Sequence, residues 1–256
     1  MATERKSRGE PSQLRVGCCG IPAPLHRYAC DFPVVEVQQT FYQPPQLKTL
    51  AKWRAQVPTD FEFTLKAWQL ITHESTSLTY RRLREKLTGK QRREAGAFRP
   101  SDIVMSAWKR TLECALAQRS RAILFQCSAR FTPIPEHKAR VRDFFCEVRK
   151  GFVRGSGADE VIFVWEPRGN WKPEEVRELC EEVGLVHGVD PFRQLPVTQG
   201  LAYFRLHGRS GYCYRFTDND LGELLAAARP FRACYVLFNN ISMFEDAGRF
   251  VRFVRA

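Results

Sequence analysis

The sequence lacks the features that mark membrane, secreted and zinc-cluster proteins. No apolar run reaches the roughly 18 residues that a membrane-spanning helix needs. The polar N-terminus has no apolar segment of a secretory signal. The nine cysteines include no Cys-x-x-Cys pair of the kind that holds structural zinc. We therefore expect a cytoplasmic protein with mostly buried thiols and no membrane partner, and the sequence leaves open whether any of the cysteines pair.

Acidic residues are too few to balance the basic ones. The chain has 40 Lys and Arg against 28 Asp and Glu, which gives a net charge of +12. Such a surface attracts polyanions, so nucleic acid, DNA or RNA, is the partner that the charge favours. A charged surface that is basic without binding nucleic acid fits the composition equally well. The oligomeric state is not indicated.

No shift in composition divides the chain into domains. We expect a disordered leader over residues 1–13 and a single domain over residues 14–256. Eight segments of strand character alternate with helical segments, and several are continuous apolar runs of the kind found in buried parallel sheets. This length and alternation predict a single α/β domain, a closed (β/α)8 barrel. The predicted strands are residues 14–18, 33–38, 61–66, 122–126, 161–166, 185–190, 201–206 and 234–238.

The segment after the third strand is unusually basic. Residues 78–93 have helical propensity and include seven Lys or Arg residues. We interpret this segment as a basic helical insertion that covers the mouth of the barrel. An ordinary solvent-exposed helix surface would have the same pattern, so both interpretations stay open.

The strands end in polar side chains, and barrels of this type carry their chemistry at the carboxyl ends of their strands. The clearest case is the seventh strand, where Tyr203, Arg205 and His207 share one face because strand residues alternate. Arg205 is expected to pair with Glu36 or Glu166 inside the barrel, since buried charges need partners. The other candidate site residues at strand ends are Lys66, Gln126, Arg168, Asp190, Arg209, Asn239 and Asn240.

Short sequence motifs at these strand ends, spread over most of the chain, match those of a known protein family. The matching pieces are Val16-Gly-Cys-Cys-Gly20, Val35-Glu-Val-Gln-Gln-Thr-Phe-Tyr42, Glu166-Pro-Arg168, Tyr203-Phe-Arg-Leu-His-Gly-Arg209 and Tyr235-Val-Leu-Phe-Asn-Asn240. With these pieces the chain resembles the YecE-like family, also called domain of unknown function 72. The resemblance implies a TIM barrel and no established activity. The similar shape of endonuclease IV and xylose isomerase barrels suggests a nuclease or DNA-repair role.

The preferred hypothesis is a metal-dependent nuclease, a hydrolase of phosphodiester bonds. Oxygen-rich sites favour Mg²⁺ or Mn²⁺, which would activate water. The predicted catalytic residues and metal ligands are Glu36, Glu166, Asp190 and His207. The predicted phosphate contacts are Arg209, Arg215 and the basic residues at 81–93. Tyr42 and Tyr214 are predicted to stack on bases, and the other predicted substrate-binding residues are Lys66, Arg168, Gln126, Asn239 and Asn240.

Two alternatives come from different functional classes. The second hypothesis is a small-molecule enzyme that acts on a phosphorylated or sugar-like substrate. In that case Lys66 and Arg168 would hold an anion while Glu166 and His207 move protons. The third hypothesis is a nucleic-acid-binding barrel without catalysis, which salt-dependent binding without turnover would identify.

Overall fold

The computed structural model describes residues 13–150 and 161–255 of the 256-residue chain. Residues 1–12 of the predicted leader lie outside this part, and Gln13 begins the first strand. Within the described ranges, no helix is long and apolar enough to cross a membrane. All nine cysteines lie in these ranges as free thiols, six of them buried.

Eight parallel strands form a closed barrel in which each strand pairs with its neighbour in the sequence and β8 pairs with β1. The (β/α)8 fold predicted from the alternation of strands and helices is confirmed. The strands are β1 Gln13–Cys19, β2 Val34–Val37, β3 Glu62–Lys66, β4 Ser120–Gln126, β5 Ile162–Glu166, β6 Val186–Val189, β7 Leu201–Leu206 and β8 Ala233–Phe238.

Helices surround the barrel and connect its strands. Gln39–Tyr42 forms one helical turn directly after β2. In the described part the α-helices are α1 Leu25–Asp31, α2 Gln39–Tyr42, α3 Leu47–Ala55, α4 Gln69–Thr72, α5 Gly89–Glu94, α6 Asp102–Gln118, α7 Pro135–Lys150, α8 Pro173–Val183, α9 Asp218–Ala228 and α10 Met243–Arg255.

Strand β5 shows how the sequence creates two separate cores. Phe163 and Trp165 point outward into the large core between the strands and the helices, and the Phe163 ring lies 5.6 Å from that of Trp108 on α6. Val164 points inward into a second core inside the barrel. Because consecutive side chains alternate between the two faces of a strand, an unbroken apolar run fills both cores.

The inner core occupies the amino-terminal and middle parts of the barrel. The rings of Tyr203 and Tyr235 lie 5.4 Å apart there, beside aliphatic side chains such as Leu124 and Leu237. Burying one such aliphatic side chain stabilises a fold by about 1.5–3 kcal/mol. At the amino-terminal end, Tyr235 donates to Glu62, which also pairs with Arg15. The apolar filling thus separates these polar side chains from the carboxyl end of the interior, where barrels of this type carry their sites.

The basic segment after β3 does not form the single helix predicted for residues 78–93. It contains a 3-10 helix, Leu78–Arg82, followed by α5. The Thr88 hydroxyl accepts a hydrogen bond from Gln91 N and caps the amino terminus of α5, so α5 begins as a separate helix. The Arg82 guanidinium lies 3.5 Å from the centroid of the Tyr42 ring, which joins the segment to α2.

A left-handed turn at residues 96–98 returns the chain to the barrel. Gly96 has φ of 80°, and a β-carbon at this residue would lie 2.1 Å from the carbonyl oxygen of His73. Gly96 N donates to Leu70 O, and Phe98 N donates to Ile71 O. Only glycine fits this position, because both the backbone angle and the close contact exclude a side chain.

Candidate active site

The carboxyl end of the barrel interior is polar, whereas the layer beneath it is mostly apolar. On five strands the last inward-facing side chain is ionisable or an amide. Each stands above an interior side chain two residues earlier in its strand, such as Val34 on β2 or Val164 on β5. We call these five side chains the mouth cluster: Glu36, Lys66, Gln126, Glu166 and Arg205.

Arg205 is the centre of the mouth cluster and is almost completely buried. Its Nε donates to Glu36 Oε2 at 3.0 Å and its Nη2 donates to Glu36 Oε1 at 2.8 Å. Its Nη1 donates to Glu166 Oε2 at 2.7 Å. Burial opposes its charge, but the two carboxylates keep the pKa of Arg205 well above its ordinary value. The sequence predicted one of these two partners, and the guanidinium binds both.

Glu36 has no oxygen that lacks a hydrogen-bond partner. Besides its bonds with Arg205, Oε2 accepts from the Tyr203 hydroxyl at 2.8 Å and Oε1 accepts from Gln38 Nε2 at 2.6 Å. Thr64 Oγ1 lies 2.9 Å from the same Tyr203 hydroxyl. A carboxylate with this many donors and a bidentate arginine is held in one position. Its role in this geometry is to fix Arg205.

Glu166 links the buried centre of the mouth cluster to its more exposed side. Its Oε1 accepts from Arg168 Nη2 at 2.5 Å and from Gln126 Nε2 at 3.0 Å. Burial raises the pKa of Glu166, but the charges of Arg205 and Arg168 outweigh it and hold the pKa well below the ordinary value. Glu166 is therefore ionised at neutral pH and cannot act as a proton donor in this arrangement.

Lys66 is a buried amine that pairs with no carboxylate among residues 13–150 and 161–255. Its Nζ donates to Gln126 Oε1 at 2.7 Å and lies 3.6 Å from the centroid of the Phe41 ring. Burial and the neighbouring charge of Arg205 lower its pKa to about 7, although Glu166 and Glu36 act in the opposite direction. A large fraction of the Lys66 side chains is therefore uncharged at neutral pH.

His207 lies beside the mouth cluster, between Arg168 and Asp190. Arg168 Nη2 is 2.9 Å from His207 Nε2, and His207 Nδ1 is 3.6 Å from Asp190 Oδ2. A guanidinium can only donate, so Nε2 must carry a lone pair and the proton of the neutral ring is on Nδ1, facing Asp190. Asp190 is fixed in turn, because it accepts from the backbone nitrogens of His207 and Phe192.

Comparison with known proteins identifies the family. The model of the family described as protein of unknown function DUF72 matches residues 19–255. The chain belongs to the DUF72 family. The family resemblance expected from the strand-end residues is thereby confirmed.

Known proteins resemble this DUF72 protein in sequence or in fold. The UPF0759 protein YunF of Bacillus subtilis is 24% identical over 246 residues, which cover 85% of this chain and 80% of the relative. A crystal structure of a DUF72 protein from Enterococcus faecalis has a TM-score of 0.71 at 18% identity and covers 95% of this chain and 96% of its own. D-psicose 3-epimerase has a TM-score of 0.56 at 14% identity, covering 90% of this chain and 91% of its own.

Several predicted substrate residues of the DUF72 protein lie in a separate cluster at the start of α9. Arg209 Nε donates to Asp220 Oδ1 at 2.6 Å, and Arg209 also pairs with Glu223. The Tyr214 hydroxyl donates to the other oxygen of Asp220 at 2.7 Å. Arg209 and Tyr214, predicted to hold a phosphate and a base, thus bind side chains of the protein itself.

The two asparagines after β8 differ in position. Asn240 is fully buried and donates to Tyr214 O and Asp246 Oδ2, both at 2.7 Å, so it joins two loops. Asn239 keeps 8% of its surface exposed, and its Oδ1 lies 3.5 Å from the Tyr212 hydroxyl. Of the predicted pair, the DUF72 fold leaves Asn239 nearer to solvent.

The predicted Mg²⁺ or Mn²⁺ ligands do not form one donor set. Within residues 13–150 and 161–255, no three His, Cys, Asp or Glu side chains are grouped so that they could hold a metal ion. Glu36 and Glu166 already receive the guanidinium of Arg205, and His207 faces Arg168. A cation at these oxygens would face two arginine charges, so the residues do not fit a divalent metal.

Sequence reasoning did not assign a site role to Tyr203, Thr64 or Gln38, although all three help to hold Glu36. Their signal was present: Tyr203 and Thr64 lie two residues before Arg205 and Lys66, on the same inward face. Arg193 and Gln194, after β6, were also missed. No strand periodicity reaches them, because they lie in a loop.

Proposed function

We propose that this DUF72 protein is an enzyme that moves a proton on a small sugar-like or phosphorylated substrate, with His207 as the base. The observation that carries the proposal is the placement of His207 between Asp190 and Arg168 at the carboxyl end of the barrel. Asp190 faces the protonated nitrogen of the ring, which leaves the lone pair on Nε2. An imidazole whose Nε2 carries the lone pair can act as a general base.

Arg168 links substrate binding to this base. Its guanidinium covers Nε2 of His207 while it pairs with Glu166. With a side chain that is 31% exposed, Arg168 can turn toward an anionic group of a substrate. That movement would uncover Nε2 for a proton on the substrate.

A cavity of about 210 Å³ next to Arg168 offers room for that anion. It opens between the loop after β5 and the loop after β6, and Arg193 adds a second guanidinium to its lining. Two donors there, Arg168 Nε and Gln194 Nε2, are buried and bind no acceptor in the described residues. Buried donors without acceptors are costly, and a phosphate or carboxylate oxygen would satisfy them.

Proteins of related shape support the sugar-like substrate class. D-psicose 3-epimerase and a D-tagatose 3-epimerase-like protein both share this barrel. Their names describe sugars, and their identities of 14% and 12% mean that the similarity itself concerns the fold. The proposed substrate class therefore depends on His207, Asp190 and Arg168, and the shared barrel is compatible with it.

Solvent exchange tests the proposal even when the product is unidentified. The protein is incubated in D₂O with dihydroxyacetone phosphate, D-fructose 6-phosphate and their unphosphorylated counterparts, and proton NMR follows the hydrogens next to each carbonyl. We expect deuterium incorporation, faster with the phosphorylated member of a pair. His207→Gln should slow it by about 10²–10⁴-fold, as for a lost general base. Lys109→Ala, an exposed change on α6, is the control. No exchange above buffer with all four compounds would contradict the proposal.

The nuclease and nucleic-acid-binding hypotheses retain only the support of charge. The net charge of +12 and the basic segment at residues 78–93 favour a polyanionic partner. We propose that this segment forms one side of the barrel mouth, since Arg82 stacks on Tyr42 directly after β2. The predicted contacts Arg209 and Arg215 are paired with carboxylates of the protein itself. Binding of labelled DNA or RNA at physiological salt, with cleavage in Mg²⁺ or Mn²⁺, would reverse the preference for the small-molecule enzyme.

A further inference from the structure

We propose that Lys66 forms an imine with the carbonyl carbon of an open-chain aldehyde or ketone at the barrel mouth. The inference rests on the proposed function and narrows its substrate class from sugar-like compounds to those with a free carbonyl group. It is carried by the position of the amine and, within the residues that the structure describes, by its single hydrogen bond and the absence of a neighbouring counter-ion.

The hydrogen bond of Lys66 leaves its lone pair available. Gln126 Nε2 donates to Glu166, which turns the amide so that Oε1 faces Lys66. The Lys66 amine therefore donates one hydrogen to Gln126 and receives none from it. In the uncharged amine, the lone pair points away from this bond and remains free to attack carbon.

The charges around Lys66 are balanced without it. The carboxylates of Glu36 and Glu166 are matched by the guanidiniums of Arg205 and Arg168. In the part of the chain that the structure describes, Lys66 is the one buried lysine, and no carboxylate lies within ion-pair distance of its Nζ. A buried ammonium without a counter-ion is costly, which favours the uncharged amine.

Two further observations agree with this assignment. The pKa of Lys66 is lowered to about 7 by burial and then by Arg205, so the nucleophilic form is abundant at neutral pH. The face of Phe41 beneath Nζ also accommodates the ammonium form, so the group can take up and release a proton during turnover. Lys66 keeps 6% of its surface exposed, and its partner Gln126 donates to Glu166, which lines the cavity next to Arg168.

The proposed step balances in atoms and electrons. The Lys66 lone pair forms a carbon–nitrogen bond, and the carbonyl π pair moves to oxygen; the nitrogen then loses one proton and the oxygen gains one, which gives a neutral carbinolamine. The hydroxyl then leaves with a second proton as water, and the nitrogen pair forms the protonated imine. The positive nitrogen withdraws electrons from the adjacent carbon, so the proton that His207 is proposed to remove becomes more acidic. Hydrolysis restores the amine, and no oxidant or reductant is needed.

Reductive trapping tests the imine on the unaltered protein. Dihydroxyacetone and dihydroxyacetone phosphate are added separately with sodium cyanoborohydride at pH 7, and peptides are mapped by mass spectrometry. We expect Lys66 to gain the mass of the probe less one oxygen atom, with at least about tenfold greater occupancy than exposed Lys109. Lys66→Arg, which keeps a positive charge but forms no imine, should lose both the adduct and most of the deuterium exchange. Lys109→Arg should lose neither.

Exchange and trapping separate the two proposals. Deuterium exchange without an adduct at Lys66, or full exchange in a folded Lys66→Arg variant, would overturn the imine and leave proton transfer by His207 intact. An adduct at Lys66 without exchange would support the imine and contradict proton transfer. If neither probe gives an adduct or exchange, both proposals fail. Because the adduct is measured on the wild-type protein, the inference does not depend on the folding of a variant.

Discussion

Arg205 holds Glu36 through three hydrogen bonds of 2.8 to 3.2 Å, although 169 residues separate the two in the chain. The pair joins β2 to β7 across the interior of the barrel. Both side chains are almost fully removed from solvent, so each depends on the other for a counter-charge.

Removal of this guanidinium should destabilise the protein strongly. Arg205→Leu leaves Glu36 buried without its counter-charge and leaves Glu166 with Arg168 alone. We expect the free energy of unfolding to fall by about 3–5 kcal/mol, measured by urea denaturation. Adding Glu36→Gln and Glu166→Gln to Arg205→Leu should restore part of the loss, since neutral amides cost less to bury. A loss below about 1 kcal/mol for Arg205→Leu would contradict the tight pairing.

Lys66 should make the stability of the protein depend on pH. Its folded pKa is about 7, whereas the ordinary value is 10.5. Between these values the unfolded chain binds a proton that the folded chain does not, so the Lys66 contribution to stability rises with pH. Below pH of about 7 the contribution is constant, because both states are protonated. Burial and Arg205 lower the pKa, together with Arg168, while Glu166 and Glu36 raise it.

The comparison of wild type with Lys66→Met isolates this contribution. We expect Lys66→Met to be the more stable protein near neutral pH, and the difference in urea midpoints to shrink as pH rises toward about 10. The comparison removes the effect of other groups, such as buried thiols, that also titrate at high pH. A difference that is independent of pH would mean that Lys66 keeps its ordinary pKa in the folded protein.

Two glycines with the same backbone angle should respond differently to alanine. Gly96 and Gly200 have φ of 80° and 79°, but a β-carbon at Gly96 would lie 2.1 Å from His73 O, whereas at Gly200 it would meet no atom within 4 Å. Gly200→Ala should cost about 1 kcal/mol for the left-handed backbone alone. Gly96→Ala should cost at least about 2 kcal/mol more, because the turn must shift. Equal losses in thermal or urea unfolding would contradict the tight contact with His73.

Asp220 should stabilise the protein only above strongly acidic pH. Burial raises its pKa, but hydrogen bonds from Thr217, Tyr214 and Arg209 outweigh it and lower the pKa to about 2. Since the ordinary value is 3.8, the stabilisation is complete above that pH and is lost as pH falls through about 2. The difference in unfolding free energy between wild type and Asp220→Asn should therefore narrow from pH 5 to pH 2. Glu174→Gln, an exposed change in the first turn of α8, should show no comparable narrowing.

The barrel could be predicted because its strands are recognisable from short stretches of sequence. Apolar strands and the alternation of side chains are enough to place Glu36, Lys66 and Glu166 on inward faces. The same rule places Arg205 beneath His207. Eight strand segments with helices between them leave few arrangements other than a closed barrel, so the fold and the end that carries the polar side chains followed from the sequence.

The pairing of the charges was not predictable, because it depends on distances across the barrel. Sequence reasoning gave Arg205 one carboxylate, but its guanidinium lies between two. Arg209 was assigned to a phosphate because it is a basic residue at the end of the seventh predicted strand. Instead the chain turns after β7, and Arg209 reaches Asp220 at the cap of α9. Side-chain partners beyond a strand end depend on loop geometry, for which periodicity carries no information.

The buried ion pairs of the mouth cluster and the exposed edge of the cavity have different roles, the first in stability and the second in the proposed selection of the ligand. Three buried side chains of the cluster bind one another, namely Glu36, Arg205 and Glu166. Substitution of any of them should lower the stability of the folded protein. Arg193 is exposed at the edge of the proposed anion cavity, where we expect a change to cost little folding energy and to alter which anion binds. Substrate specificity can therefore change through substitutions at the cavity edge while the buried ion pairs beneath it stay the same.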